Sequence, residues 1–146
     1  MTTVDPITTE VIRNRLLSVS NEMATNLMRT SYNTVVYEIK DFGVGVYDIE
    51  GRELAEAPGI TIFTRANDRA LHRLIDFIGV DNFEDGDAYI FNYPYWSSAH
   101  TLDVFVTSPI FAEGELVGFT GVRIHWLDLK QKHAGYSMDT TDMYQE

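Results

Sequence analysis

The segment from His100 to Asp128, HTLDVFVTSPIFAEGELVGFTGVRIHWLD, decides the fold of this chain. It contains two extended, largely apolar runs, Asp103 to Phe111 and Glu115 to Trp126, on either side of a turn at Glu113-Gly114. Two such runs around a short turn that contains glycine are the pattern of an antiparallel β-hairpin. We therefore expect a long hairpin in this part of the chain.

The register of this hairpin depends on the length of its loop. A three-residue loop, Glu113 to Glu115, places Asp103 opposite His125, whereas a two-residue loop would place Asp103 opposite Ile124. Side-chain alternation agrees with the first register. One face of the second strand then carries Val117, Phe119, Gly121, Arg123 and His125. Opposed residues of an antiparallel pair have Cβ atoms ~5 Å apart, so we expect Asp103 and His125 to meet.

A third chemically active side chain belongs to the same end of the hairpin. His100 lies three residues before Asp103 and can fold back over the strand end. Two imidazoles and one carboxylate suit a divalent metal such as Zn, Mn or Fe. Three protein ligands leave coordination positions open, so the cation could polarise a carbonyl or lower the pKa of bound water. The alternative is that the His-x-x-Asp spacing is accidental and that the histidines are only hydrogen-bonded.

Two further aspartates are candidates for supporting roles. Asp128 follows His125 by three residues and could be a fourth ligand, an acceptor that fixes an imidazole tautomer, or the cap of a turn. By pattern alone, Asp41 is an ordinary residue at the start of a strand. The sequence has no Walker-type phosphate loop, no G-x-S-x-G elbow and no G-x-G-x-x-G motif. His133 is expected to be exposed.

The rest of the sequence predicts an α+β fold. Asp5-Pro6 is a helix start signal, and an apolar stripe at helical spacing continues to about Thr30, which indicates a long N-terminal helix. Thr64 could cap a second, short helix, Arg65 to Ile78, with His72 on its surface. Short apolar runs predict a mostly antiparallel, barrel-like sheet. Besides the hairpin, the expected strands are Thr34 to Ile39, Phe42 to Tyr47, Arg52 to Ala57, Ile60 to Phe63 and Ala88 to Asn92.

Composition limits the partners and the setting of the chain. Its 146 residues, 45% of them hydrophobic, suffice for a single domain over residues 1–146. A formal net charge of -11 argues against nucleic acid and an anionic membrane surface as partners. The sequence has no cysteine, no signal peptide and no apolar run of membrane-spanning length, which favours a cytoplasmic protein. The polar segment Met138 to Glu146 suggests a fragment of a longer protein.

Several short motifs follow one another along the chain. They begin with Asp5 to Leu16, DPITTEVIRNRL, and include Asn92-Tyr93-Pro94-Tyr95 and His100-Thr101-Leu102-Asp103. The others are Arg29 to Tyr32, Lys40 to Phe42, Gly118-Phe119, Arg123 and His125 to Asp128. In this order the motifs resemble those of the hydantoinase B/oxoprolinase family, including its Asn-Asp-Pro-Tyr and His-Leu-Pro-Asp motifs. Members of that family are usually longer, so the chain would be the N-terminal part of a hydantoinase B-like subunit.

The resemblance implies an enzyme subunit that works in a complex. Family members act with a hydantoinase A-like subunit, which binds ATP and Mg and phosphorylates a carbonyl oxygen of a small-molecule substrate. The family pattern places metal ligands at the positions of His100, Asp103 and His125, and it makes Asp41 an additional candidate. The implied partners of the chain are that ATP-binding subunit and the remainder of the hydantoinase B-like subunit.

The substrate stays open, because the loop before the expected ligands departs from the family. Tyr93 replaces the Asp of Asn-Asp-Pro-Tyr, and Ser97 to Ala99 replace a Gly-Gly-Thr-like run. The first hypothesis is ATP-dependent carboxylation of a ketone such as acetone or acetophenone with bicarbonate. The second is hydrolysis of a cyclic amide such as a hydantoin, 5-oxoproline or a lactam. A noncatalytic scaffold fragment and a nonheme iron oxygenase are further alternatives. Four aromatic residues could line an apolar pocket or belong to the core: Tyr93, Tyr95, Trp96 and Trp126.

Overall fold

The computed structural model describes residues 5–98, 100–127, 129, 132–133, 139–142 and 145. Its helices are α1 (Pro6–Thr30), α2 (Thr34–Tyr37), α3 (Thr61–Ile78) and α4 (Pro94–Ser97). Its strands are β1 (Phe42–Tyr47), β2 (Glu53–Glu56), β3 (Tyr89–Phe91), β4 (Asp103–Ala112) and β5 (Glu115–His125). The strands form one antiparallel sheet in the order β2-β1-β5-β4-β3. The α+β class and the antiparallel sheet are confirmed.

The sheet is open rather than barrel-like. Strands β2 and β3 are its two edges and do not pair with each other. The long hairpin β4–β5 lies near the middle of this sheet, with β1 on one side and β3 on the other. Because the hairpin is central, helices can cover both of its faces. The two apolar cores lie between these faces and the helices.

Helix α1 begins and ends as the sequence predicts. The Asp5 carboxylate accepts a hydrogen bond from the amide of Thr8 at 3.0 Å, and Pro6 occupies the first turn. The predicted apolar stripe packs only in the second half of the helix, where Ala24 is buried, whereas the first half is exposed, Ile7 being 75% exposed. Among the described residues, no helix has the length and apolar character needed to cross a membrane.

The hairpin has the predicted pairing but a shorter loop. Asp103 pairs with His125, as expected. The turn contains two residues, Glu113 and Gly114, whose positive φ angles of 54° and 87° suit the tight turns that match strand twist. The register is restored by a β-bulge, in which Val117 is the extra residue of β5. The three-residue loop was therefore wrong, and the alternation of the strands gave the correct pairing.

The predicted strand Thr34 to Ile39 is wrong. Residues 34–37 form the short helix α2 instead. Its cause is local, because the Asn33 side chain accepts a hydrogen bond from the amide of Val35 at 3.0 Å and caps the helix. The β-branched residues of this segment favour a strand, and the cap outweighs that preference.

The predicted strand Ile60 to Phe63 is also wrong. Helix α3 starts at Thr61, four residues earlier than expected, so Thr64 lies inside the helix rather than at its cap. Ile60 occupies the cap position and makes no side-chain capping hydrogen bond. Packing against the sheet therefore fixes this end of the helix, and no signal in the sequence marks it.

The sheet separates two apolar cores. On the α1 face, the buried residues are Ala24, Val36, Phe42, Val44 and Ala57. On the α3 face, they are Tyr47, Leu71, Leu74, Phe83 and Phe119. Glycines let the Tyr47 ring lie flat across the second face: a Cβ at Gly121 would be 2.7 Å from Tyr47 Cε2, and one at Gly45 would be 2.7 Å from its hydroxyl. Gly45 and Gly121 therefore provide the room that the Tyr47 ring occupies.

Candidate metal centre

The side chains of His100, Asp103 and His125 meet at the end of the hairpin that is remote from its turn. The Oδ1 atom of Asp103 lies 3.3 Å from Nδ1 of His125 and 3.7 Å from Nε2 of His100. The two imidazole rings are nearly perpendicular, at 89°, with centroids 4.9 Å apart. One ligand atom from each of the three residues lies within 4.8 Å of the other two. The structure therefore brings together the three residues that the sequence singled out.

Main-chain hydrogen bonds fix the strand ends that carry the site. The amide of His125 donates to the carbonyl oxygen of Asp41 at 3.2 Å, which ties β5 to the start of β1. The amide of Trp126 donates to the carbonyl oxygen of Leu102 at 2.9 Å, which closes the other side beside Asp103. Because His125 is held between two neighbouring segments, the direction of its side chain is set by the sheet.

Burial differs among the three residues. The side chain of His125 is completely buried and that of Asp103 is 3% exposed, whereas that of His100 is 18% exposed. His100 belongs to the loop between α4 and β4, while the other two belong to paired strands. In the part of the chain that the structure describes, the site is thus enclosed on the side of the strands and partly exposed on the side of the loop, at His100.

The donor set suits a divalent cation, and the Asp103 carboxylate lies at a suitable distance from both imidazoles. Ligand atoms bound to one zinc ion at ~2.0–2.2 Å lie no more than about 4.4 Å from each other. The distances of 3.3 Å and 3.7 Å from the Asp103 carboxylate to the two imidazoles satisfy that limit. Two imidazole nitrogens and a carboxylate oxygen are also ligands that Zn, Mn and Fe accept.

A buried arginine lies beside the three residues. Arg123 precedes His125 by two positions on the same face and is fully buried, with Nε 2.8 Å from Asn67 Oδ1 and Nη1 2.5 Å from Ser98 Oγ. Burial lowers the pKa of its guanidinium to about 10, while the negative charge of Asp103 opposes the shift. It stays protonated at neutral pH. A charged residue at an inward position of an alternating strand is the sequence signal that could have marked it.

Among the described residues, the other candidates contribute no ligand atom to the group of His100, Asp103 and His125. Asp41 is buried and adjoins His125 through the main chain, but its carboxylate is not in the group of ligand atoms that lie within 4.8 Å of one another. Asp128 lies outside the described residues. His72 on α3 and His133 are both exposed, as predicted.

Of the four aromatic residues considered for an apolar pocket, Tyr93, Tyr95 and Trp96 are in ring contact, whereas Trp126 lies elsewhere. Trp96 packs against Phe77 and Phe91 on the α3 face. Trp126 lines a cavity of about 340 Å³ on the α1 side, together with Leu27 and Ile124. Tyr93 and Tyr95 are exposed. The sequence left open whether these residues line a pocket or belong to the core. The structure packs Trp96 against the core on the α3 face and places Trp126 on the other side of the sheet.

The chain is thus an α+β domain in which two histidines and an aspartate converge at the end of a β-hairpin. The family model described as Hydantoinase B/oxoprolinase matches residues 5–146. Because the match covers nearly the whole chain, the chain belongs to the hydantoinase B/oxoprolinase family.

One relative and two solved structures are similar to this chain. Caprolactamase subunit beta of Pseudomonas jessenii is 31% identical over the whole chain, which covers 25% of that subunit. The crystal structure of the ATP-dependent caprolactamase from the same organism is similar over 86% of this chain and 21% of its own, with a TM-score of 0.72 and 27% identity. The nucleotide-free structure of acetone carboxylase has the same fold as this chain. The similarity covers 97% of this chain and 21% of that one, with a TM-score of 0.77 and 20% identity. The chain thus spans about a quarter of the length of these relatives.

Proposed function

We propose that His100, Asp103 and His125 hold a divalent cation and that this centre belongs to an ATP-dependent enzyme complex that acts on a carbonyl compound. The observation that carries the proposal is the convergence of two imidazoles and one carboxylate within 4.8 Å of one another. Burying a carboxylate beside two imidazoles is unfavourable unless a positive charge or hydrogen bonds compensate it. A cation bound by all three would provide that compensation.

The three residues differ in rigidity and in exposure. A bound cation would polarise a substrate carbonyl or lower the pKa of a bound water, which is the chemistry that a hydrolase or carboxylase needs. Asp103 and His125 hold their places because they are paired across β4 and β5. His100 is the most exposed of the three, and the substrate is proposed to approach from its side. Asp41 adjoins His125 and is proposed as an additional ligand, and Asp128 stays a prediction.

Zn, Mn and Fe are the proposed ions, since imidazole and carboxylate ligands suit all three. ATP and Mg are proposed to bind to a hydantoinase A-like partner subunit. The relatives from P. jessenii support this part of the proposal, because one is called subunit beta and the other is called ATP-dependent.

A cyclic amide is the proposed substrate class. The relative with 31% identity is a caprolactamase, whose name states that it acts on a lactam. The likeness to acetone carboxylase is at 20% identity and concerns the fold. Trp96 and Trp126 pack on different sides of the sheet, so the structure adds no support for an aryl ketone from these two rings together. Ketone carboxylation with bicarbonate is the alternative that an assay must exclude.

The metal proposal is tested on the complex purified through the subunit that contains this chain. Elemental analysis of the wild type is expected to give close to one equivalent of Zn, Mn or Fe per subunit, and His100→Ala should lose most of it. His133→Ala is the matched control, because His133 is 61% exposed and stands apart from the site. Full metal content in His100→Ala, or none in the wild type, would contradict the proposal and leave a scaffold role.

The substrate proposal is tested by following ATP hydrolysis by the same complex. Hydantoin, 5-oxoproline and caprolactam are compared with acetone and acetophenone, each with and without bicarbonate. We expect turnover with a cyclic amide that does not depend on bicarbonate. ATP turnover that requires both a ketone and bicarbonate would contradict amide hydrolysis and indicate carboxylation. Oxygen consumption without ATP would indicate an oxygenase.

A further inference from the structure

Arg123 has no part in the chemistry proposed above, yet it is the bulkiest of the fully buried side chains in the described residues. Removing a guanidinium from water is unfavourable unless hydrogen bonds and opposite charges replace the solvent. A well-packed core at this position would need only an apolar residue. The partners of Arg123 therefore indicate what its charge and its fork of donors are used for.

The guanidinium joins three parts of the fold. Its Nε atom donates to Asn67 Oδ1 on α3 at 2.8 Å, and Nη1 donates to Ser98 Oγ at 2.5 Å. Its central carbon lies 5.3 Å from the centre of the Phe105 ring on β4, close enough for a cation–π interaction. A single side chain on β5 is thus held by a helix, by the neighbouring strand and by the loop that follows α4.

The contact with Ser98 leads directly to the proposed ligands. The hydroxyl of Ser98 accepts from Arg123 and donates to the carbonyl oxygen of Asp103 at 3.4 Å. Ser98 and Asp103 enclose the loop that contains His100. Arg123 therefore restrains, through one hydroxyl, the short segment that carries two of the three proposed ligands.

We propose that Arg123 is a positioning residue of the metal centre and acts through Ser98 to hold His100 and Asp103 in the geometry that binds a cation. This inference rests on the proposed metal site. His125 is aligned by the sheet itself, whereas His100 comes from a loop and needs another restraint. Outer partners of metal ligands commonly change metal affinity 10–100-fold when they are removed.

The sharpest test removes only the link. Ser98→Ala is expected to weaken the binding of Zn²⁺ to the purified complex about 10-fold or more, measured by competition with a chelator. Ser20→Ala is the matched control, because Ser20 likewise donates to a main-chain oxygen, that of Ala55 at 3.3 Å, on the other side of the sheet. Its Zn²⁺ affinity should equal that of the wild type.

A second measurement separates positioning from a merely structural role. The visible absorption of the complex loaded with Co²⁺ reports the number and arrangement of the ligands. Ser98→Ala and Arg123→Lys should both alter this spectrum, because lysine keeps the charge but cannot reproduce the planar fork that reaches Asn67 and Ser98 together. If Arg123→Lys fails to fold, Ser98→Ala decides the question alone.

The possible results distinguish the two proposals. A wild-type complex that binds no metal would overturn the metal site and this inference with it. If the wild type binds metal and His100→Ala loses it, while Ser98→Ala keeps the wild-type affinity and Co²⁺ spectrum, only the positioning role is overturned. A lower melting temperature in Ser98→Ala with unchanged metal binding would show that Ser98 and Arg123 serve stability alone.

Discussion

The two faces of β5 differ in what they bury. The side chains that face α1 include Val122 and Ile124, which pack on an entirely apolar cluster with Phe42 and Val44. The other face begins with Phe119 in an apolar core and ends with Arg123 and His125, beside buried Asp103 and Asn67. One strand thus separates a face that only stabilises the fold from a face that also carries polar groups.

The difference shows where stability and function are divided in this domain. An apolar face gains free energy in proportion to the area removed from water, about 25 cal/mol per Å². Burying a polar group destabilises the folded state unless each of its donors and acceptors has a hydrogen-bond partner. Polar groups of this kind are buried at one end of the α3 face, where the three proposed ligands meet. Substitutions on the two faces should therefore change different measured quantities.

The largest expected effect is on the polar face. His125→Ala removes a proposed ligand that is completely buried and rigidly held. Because a ligand matters more than its outer partners, Zn²⁺ affinity of the complex should fall by roughly 100-fold or more. Chelator competition measures the affinity, and ATP-dependent turnover should fall with it. His72→Ala, an exposed histidine on the helix that covers this face, should change neither; equal losses in both variants would contradict the assignment.

The next effect belongs to the apolar face. Val44→Ala deletes two methyl groups from the α1 core, where Val44 is fully buried. The expected loss in the free energy of unfolding is about 2 kcal/mol, from the lost burial and the cavity left behind. Urea denaturation measures it. Zn²⁺ affinity of the folded complex should stay within about twofold of the wild type, and a larger loss would mean that the two faces are coupled.

A smaller effect is expected where the two kinds of packing meet. The methyl group of Gly121→Ala would lie 2.7 Å from the Tyr47 ring and 3.1 Å from the Phe105 ring, both of which are buried. Overpacking of this kind costs about 1–2 kcal/mol. Because the ring of Phe105 lies under Arg123, we also expect a modest decrease in Zn²⁺ affinity, well below that of His125→Ala. Wild-type stability in this variant would show that the rings move aside freely.

The smallest effect concerns a charge at the edge of the α3 face. Burial raises the pKa of the Asp68 carboxyl, and the charges of His72 and Arg65 oppose the shift. A raised folded-state pKa favours the folded protein below the unfolded-state value of ~3.9, and this contribution is lost as the pH rises through the folded-state value. Asp68→Asn does not ionise, so it should be more stable than the wild type at pH 7, with the advantage shrinking towards pH 3. Thermal unfolding across this range checks it, and a constant difference would point to a cause other than the charge.

Local patterns sufficed for a large part of the fold. The cap at Asp5 and the apolar stripe predicted α1, and the alternation of β5 predicted that Asp103 faces His125 although the loop length was wrong. Alternation survives such an error because it depends on the burial of a whole strand face. The segment at Thr34 failed because one capping side chain, Asn33, decided between helix and strand.

Short-range patterns in the sequence were enough to predict the two long strands, the first helix and the candidate metal ligands, because periodicity and caps act over a few positions. The start of α3 and the support of the site depend instead on tertiary packing. Arg123 reaches Asn67 across 56 positions and Ser98 across 25. No short pattern encodes such contacts, because they form only after the sheet has brought distant segments together.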